Sequence, residues 1–243
     1  MSDERSLFVA RDADVAALRS HFDAALAGDP RFVRLSAEFG GGRRALSAEL
    51  LRTLRASGDD PLIWRAAPTD QEAGVQWLLR MYAGLVATLS AEPLRRGKAE
   101  MILNGQLPQQ TRRVQGWYQQ FVSALKESKV DEQTGQVQLR IPQDNPLIGL
   151  VEIAIGIARK MPIVLEFQAP WMVHSVLVSQ FLEALLDEAR SSKARILVVL
   201  FDEPAGEVRD TSHPAPLLDL YARRADAIRE HALAPWGAEE TSA

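Results

Sequence analysis

The chain has 243 residues, of which 47% are hydrophobic and 25% are charged, and its net charge is −4. This length and balance fit one large α/β domain or two small ones and give no polybasic signature of nucleic-acid binding. Because there is no cysteine, disulfides, thiolate catalysis and cysteine-based metal sites are excluded. No apolar run reaches the ~18 residues of a membrane span, and the charged first residues are unlike a signal peptide. We therefore expect a cytoplasmic protein that does not bind membranes.

Short apolar runs alternate with helical patterns in the first third of the chain. A helix is predicted over residues 12–27, a strand over 32–37 and a second helix over 45–56. Residues 62–66 are predicted to form the second strand, and 70–89 a long helix. Strands that alternate with helices are typical of a parallel sheet covered on both faces.

The section over residues 94–143 breaks this alternation, and we interpret it as a helical and hairpin insertion. Its part over 94–129 is helical in character, locally basic and rich in aromatic side chains, namely Trp117, Tyr118 and Phe121. Such a surface can stack on nucleic-acid bases, whereas an amphipathic helix packs the same aromatics on the core. We favour core packing and do not expect nucleic-acid binding. Residues 130–141 are predicted to form a hairpin with a turn at Thr134 and Gly135.

The last third returns to the α/β pattern. The predicted elements there are a helix at 145–160, a strand at 163–167, a helix at 171–189, a strand at 195–201, a helix at 214–233 and a frayed tail at 235–243. The predicted fold is a three-layer αβα sandwich with a parallel sheet of at least four strands. Residues 1–211 are assigned to this core, including the insertion, and 212–243 to a C-terminal helix and tail.

A glycine-rich turn lies between the first predicted strand and the second predicted helix, where a phosphate-binding P-loop belongs. The P-loop pattern is G-x-x-x-x-G-K-[ST]. Gly42 keeps its place in this pattern, but Ala37 replaces the first glycine, Arg43 the lysine and Arg44 the Ser or Thr. Arg44 has no lone pair to offer Mg²⁺. The turn is therefore either a ligand-free connection or a weak nucleotide site.

Several segments together resemble the core of the AAA+/STAND class of P-loop ATPases. Residues 8–12 are similar to the opening F-V-G-R-x motif of that class, with Ala10 in place of the glycine, and in the family this stretch lies beside the adenine. Residues 161–165 resemble the start of the Walker B strand, and 195–201 the sensor-1 strand. The resemblance covers about residues 7–204. The cofactor-binding residues that it implies are Phe8, Val9, Arg11, Gly40, Gly41, Gly42, Arg43 and Arg44.

The two acids that end the Walker B strand in this family are replaced here. Their places fall near Gln168 and Ala169, and neither side chain is a carboxylate. Glu166 is two positions earlier, so its side chain should lie on the same sheet face as position 168, one pleat deeper. It could substitute for the missing acid, but we favour a pair with a neighbouring Lys or Arg. Asp202 ends the next predicted strand and is a second candidate acid at this edge.

The replaced P-loop residues and the replaced Walker B acids together imply a degenerate ATPase domain that does not hydrolyse ATP. We expect such a domain to act as a protein-interaction scaffold or regulatory subunit with an unidentified protein partner. We assign no catalytic residue, no metal and no cofactor beyond weak ATP or ADP binding. Three alternatives stay open. The first is a nucleotide sensor that binds ATP or ADP through the backbone amides of residues 40–42 and through Arg43. The second is an active NTPase that uses Glu166 or Asp202. The third is a protein that binds nucleic acid through residues 95–129.

Overall fold

A five-stranded parallel sheet forms the centre of the fold. The computed structural model describes residues 11–37, 42–66, 75–127, 145–168, 175–202 and 215–234. The strands are β1 (Arg31–Ser36), β2 (Leu62–Ala66), β3 (Ile163–Gln168), β4 (Ile196–Asp202) and β5 (Ile228–Ala232). Their order across the sheet is β2-β3-β4-β1-β5, and every neighbouring pair is parallel. The four predicted strands are confirmed, and β1 lies inside the sheet as expected.

Helices cover both faces of this sheet, which confirms the three-layer αβα arrangement. They are α1 (Asp12–Leu26), α2 (Arg43–Ala56), α3 (Val75–Ser90), α4 (Pro93–Gln106), α5 (Arg112–Glu127), α6 (Pro146–Ala158), α7 (Val176–Ser192) and α8 (Pro216–Arg223). The side chains of β4 alternate between two separate cores. Leu197 and Val199 pack with α1 and α2, whereas Val198 and Leu200 belong to the core that holds α3 to α8. Because both faces of the strand are buried, β4 is apolar at every position from 196 to 201.

The prediction of a single helix over 214–233 is wrong for its second half. Helix α8 ends at Arg223, and Ile228–Ala232 forms β5, which pairs in parallel with β1. Ile228 is buried, but Arg229 and Glu230 are exposed. A strand at the edge of a sheet tolerates charged residues, which also protect the edge from pairing with other chains. The charged composition of β5 therefore hid it from a search for apolar runs.

The predicted insertion adds the helices α4 and α5, which pack against α3 and α6. Trp117, Tyr118 and Phe121 are buried in the larger core, so the prediction that they pack inside the protein is confirmed. Because α4 and α5 cover the outer side of α6, nine residues of that helix are buried. The predicted hairpin over 130–141 and the tail from 235 lie outside the described residues.

Candidate functional site

The carboxyl ends of β1, β3 and β4 lie side by side at one edge of the sheet. The register pairs Ser36 with Asp202 and Gln168 with Phe201, so these three strands end at the same level. Ligands of open parallel sheets bind at the carboxyl edge. Strand β1, which precedes the predicted glycine turn in the sequence, and the Walker B-like strand β3 therefore end at the same side of the molecule.

Helix α2 begins at this edge with a concentrated positive charge. Gly42 caps the helix with a φ of 76°, a left-handed conformation that favours glycine, and its carbonyl accepts a 2.8 Å hydrogen bond from the Leu46 amide. The helix starts at Arg43, two residues earlier than predicted, and Arg44 is exposed. Its first turn has no acidic residue, so both arginines add to the positive end of the helix dipole. Gly40 and Gly41 lie outside the described residues.

Glu166 forms a buried cluster with two residues that are distant in the sequence. Its side chain is 7% exposed and lies on the sheet face that α2 covers. Oε1 accepts a hydrogen bond from the Ser47 hydroxyl, and Oε2 accepts one of 2.5 Å from Nε of Arg65. Arg65 is the direct neighbour of Glu166 in the register of β2 and β3. The prediction that Glu166 pairs with a neighbouring Lys or Arg is thus confirmed.

Ser47 and Arg65 are the two members of this cluster that the sequence did not identify. Ser47 lies three residues after Arg44, so it shares a helix face with the P-loop hydroxyl position but is one turn deeper. Glu166 is likewise one pleat deeper than position 168. The available signal for Ser47 was a lone hydroxyl among the buried residues of α2, and for Arg65 a cation inside a predicted strand.

The cluster neutralises and hydrogen-bonds the buried carboxylate of Glu166. Each carboxylate oxygen accepts a hydrogen bond from a side chain, and a guanidinium lies against one of them. Buried charges are stable when they are paired and hydrogen-bonded in this way. Chemically, the arrangement suits a carboxylate that holds α2 to the sheet.

Arg11, which the resemblance placed beside the adenine, joins the start of α1 to the end of β5. Arg11 is buried. Its guanidinium donates a hydrogen bond of 3.1 Å to Oδ2 of Asp14 and one of 2.7 Å to the carbonyl oxygen of Ala234. Oδ1 of Asp14 in turn lies 2.9 Å from Nε2 of His231. These contacts fix the first helix to the edge strand. Phe8 and Val9 lie outside the described residues.

The described residues contain no candidate metal site and no candidate membrane span. Within the ranges given above, no three His, Cys, Asp or Glu side chains are grouped so that they could hold a metal ion. None of the helices in the same ranges is both long and apolar enough to span a membrane.

No protein-family model matches this sequence, and no curated protein matches it significantly. The fold and the contacts of the carboxyl edge are therefore the features that bear on function.

Proposed function

We propose that this chain is a degenerate AAA+/STAND-like ATPase domain of the cytoplasm that does not hydrolyse ATP and acts as a protein-interaction scaffold or regulatory subunit. The sheet supports this proposal, because β1 lies inside a parallel sheet, between β4 and β5, as expected for the strand that precedes a P-loop. A glycine-capped helix that follows β1 at the carboxyl edge also supports it.

The Ser47–Glu166–Arg65 cluster is the observation that carries the proposal. In P-loop ATPases, Mg²⁺ is held by a Ser or Thr of the loop and by an acid after the Walker B strand. Here those positions are Arg44 and Gln168, and a hydroxyl–carboxylate pair lies one turn deeper, bound to Arg65. The guanidinium supplies a positive charge to the carboxylate without a metal. This favours a core that is kept for its structure rather than for hydrolysis.

Nucleotide binding without hydrolysis is a second candidate function. The positive end of α2, with Arg43 and Arg44 in its first turn, suits the phosphates of ATP or ADP. A sensor of this kind would use the nucleotide to regulate a partner. The scaffold and the sensor differ only in whether the nucleotide binds.

A phosphate-release assay on the full chain tests the loss of hydrolysis. We expect no release of phosphate from ATP or GTP above background, with Mg²⁺ present. The matched variants are Glu166→Gln, at the buried carboxylate, and Glu49→Gln, at a surface acid of α2. A turnover of about 1 s⁻¹ or more that Glu166→Gln abolishes and Glu49→Gln retains would contradict the proposal and establish an active NTPase.

Calorimetric titration with ATP and ADP separates the scaffold from the sensor. A sensor should bind with a Kd of about 1 mM or lower, and Arg43→Ala combined with Arg44→Ala should abolish that binding. A scaffold should give no binding heat with either nucleotide. Its partner should then co-purify in a fixed ratio from the native cell under native conditions, and the lack of any such partner would argue against a scaffold.

A further inference from the structure

The outer side of α4 exposes apolar residues that no other described residue covers. Leu94 is 90% exposed and Met101 is 68% exposed, and among the described residues Val176 is the third large hydrophobic side chain in this state. Helical spacing places one group of exposed residues on the same side as Leu94 and Met101. We call it the α4 face, and it consists of Leu94, Gly97, Lys98, Met101, Asn104 and Gly105.

The two glycines of the α4 face have no packing explanation among the described residues. A Cβ at Gly156 of α6 would meet Cζ of Tyr118 at 2.8 Å, and one at Gly149 would meet the Trp117 ring at 3.3 Å. At Gly97 and Gly105, a Cβ would meet no described atom within 4 Å. Glycine weakens a helix relative to alanine, so these positions lower the stability of α4 with no gain in internal packing. They do leave the backbone open to close approach from outside.

We propose that the α4 face is the contact surface of a homodimer, in which the α4 helices of two copies pack antiparallel about a two-fold axis at Met101. The pattern of the face favours a second copy as the partner, because a two-fold contact must be complementary to itself. About Met101, Gly97 of one copy lies level with Gly105 of the other. Leu94 lies level with the exposed Pro108 in the same way.

The charges of the face are also compatible with a two-fold contact. Lys98 is its one charged residue, and the antiparallel arrangement places it level with the neutral Asn104 of the other copy. Glu100 and Arg96, which flank the face, form an ion pair with each other within the same copy. No like charges are therefore brought together across the axis, and small residues flank Met101 on both sides.

The size of the face sets the strength of the dimer. A helix of 14 residues is about 21 Å long, and one side of it buries less area than a stable interface of standard size. We therefore expect a weak dimer whose population rises with concentration. The contact uses no residue of the carboxyl edge and does not depend on the proposed function.

Sedimentation velocity on the full chain tests the dimer. We expect a monomer–dimer equilibrium between about 10 µM and about 1 mM. Changing Gly97→Gln and Gly105→Gln together adds good helix formers that block the approach, so the dimer should weaken at least tenfold while the thermal midpoint of the monomer does not fall. The matched control is Gly116→Gln on α5, which also has open space around it but polar exposed neighbours, and it should leave dimerisation unchanged.

Single cysteines give a second test, because the native chain has none. Met101→Cys places one thiol at the two-fold axis, so an intermolecular disulfide should form faster than with Ser123→Cys on the exposed side of α5. Lys98→Cys should cross-link more slowly than Met101→Cys, because the antiparallel arrangement separates the two copies of residue 98 by about 9 Å along the helix. A chain that is monomeric throughout the concentration range would overturn the proposal. So would cross-linking of Met101→Cys no faster than Ser123→Cys, or a dimer that survives both glycine changes.

Discussion

Arg65 and Glu166 lie directly opposite each other on β2 and β3, with Nε of Arg65 2.5 Å from Oε2 of Glu166. The two side chains differ sharply in exposure, since 65% of Arg65 but only 7% of Glu166 is accessible to solvent. A buried carboxylate is thus neutralised by a guanidinium that stays at the surface. Ser47 binds the other carboxylate oxygen from α2, so the pair also ties that helix to the sheet.

We expect Arg65→Ala to lower the free energy of unfolding by about 1–2 kcal/mol. Removing one partner of a fully buried ion pair costs about 3–5 kcal/mol, and the exposure of Arg65 reduces this because solvent screens the interaction. Urea denaturation at neutral pH measures the change. In a Glu166→Gln background, the same substitution should cost clearly less, since the charge that Arg65 neutralises is gone. Equal costs in both backgrounds would show that the ion pair contributes nothing.

Restoring the P-loop side chains should not restore hydrolysis. Arg43→Lys and Arg44→Thr together return the lysine and the Mg²⁺-binding hydroxyl, but Gln168 and Ala169 still supply no carboxylate. We expect phosphate release to stay at background, while calorimetry shows tighter binding of ATP than in the native chain. Full ATPase activity in the double variant would mean that another acid takes the Walker B role.

Gly156→Ala should destabilise the protein although alanine favours helices. The added Cβ would lie 2.8 Å from Cζ of Tyr118 and 2.9 Å from Cδ2 of Leu103, both in a packed core. We expect a loss of about 1–3 kcal/mol in urea denaturation, as for other overpacked cores.

Gly116→Ala is the matched control for this change. A Cβ there meets nothing within 4 Å, so the variant should gain up to about 1 kcal/mol from helix propensity alone. If both glycine variants changed stability by the same amount and in the same direction, close approach of Tyr118 would not be the cause.

Alkaline pH should weaken the fold through two buried tyrosines. Burial raises the pKa of Tyr118 to about 12 and raises the pKa of Tyr82 further. Below about pH 10 both tyrosines are protonated in the folded and the unfolded chain. Above that, the unfolded chain loses these protons first, so the free energy of unfolding should be constant to about pH 9 and should fall as the pH rises towards 12. Urea denaturation at several pH values measures this decline.

Phenylalanine variants separate the two tyrosines. Either Tyr82→Phe or Tyr118→Phe should make the alkaline decline shallower, because one ionisable group is removed. At pH 7, Tyr118→Phe should lower the free energy of unfolding by about 1 kcal/mol, because the Tyr118 hydroxyl donates a hydrogen bond of 3.2 Å to the carbonyl oxygen of Glu152. The Tyr82 hydroxyl is buried without a hydrogen-bond partner in the described part of the chain, so Tyr82→Phe should cost little. An unchanged alkaline decline in both variants would contradict this assignment.

Elements with a local pattern could be predicted from the amino-acid sequence. Apolar runs such as that of residues 196–200 identified four strands, because a strand buried on both faces is apolar at nearly every position. Helical spacing of leucines identified α2, which follows β1 in the chain and is capped by Gly42. The parallel direction of the strands and the inward packing of Trp117 were predicted from the same patterns. The ATPase resemblance and the nucleotide-binding residues remain predictions.

Features that depend on distant partners could not be predicted and became visible in the folded chain. Strand β5 carries charged residues and forms by pairing with β1, which lies nearly 200 residues earlier in the chain. The partners of Glu166 are 101 and 119 residues away, so no local pattern could reveal that Arg65 and Ser47 share its carboxylate. Local periodicity records which faces are buried, because burial acts on each side chain separately. Pairing energies act between particular atoms, and those atoms meet only when the chain has folded.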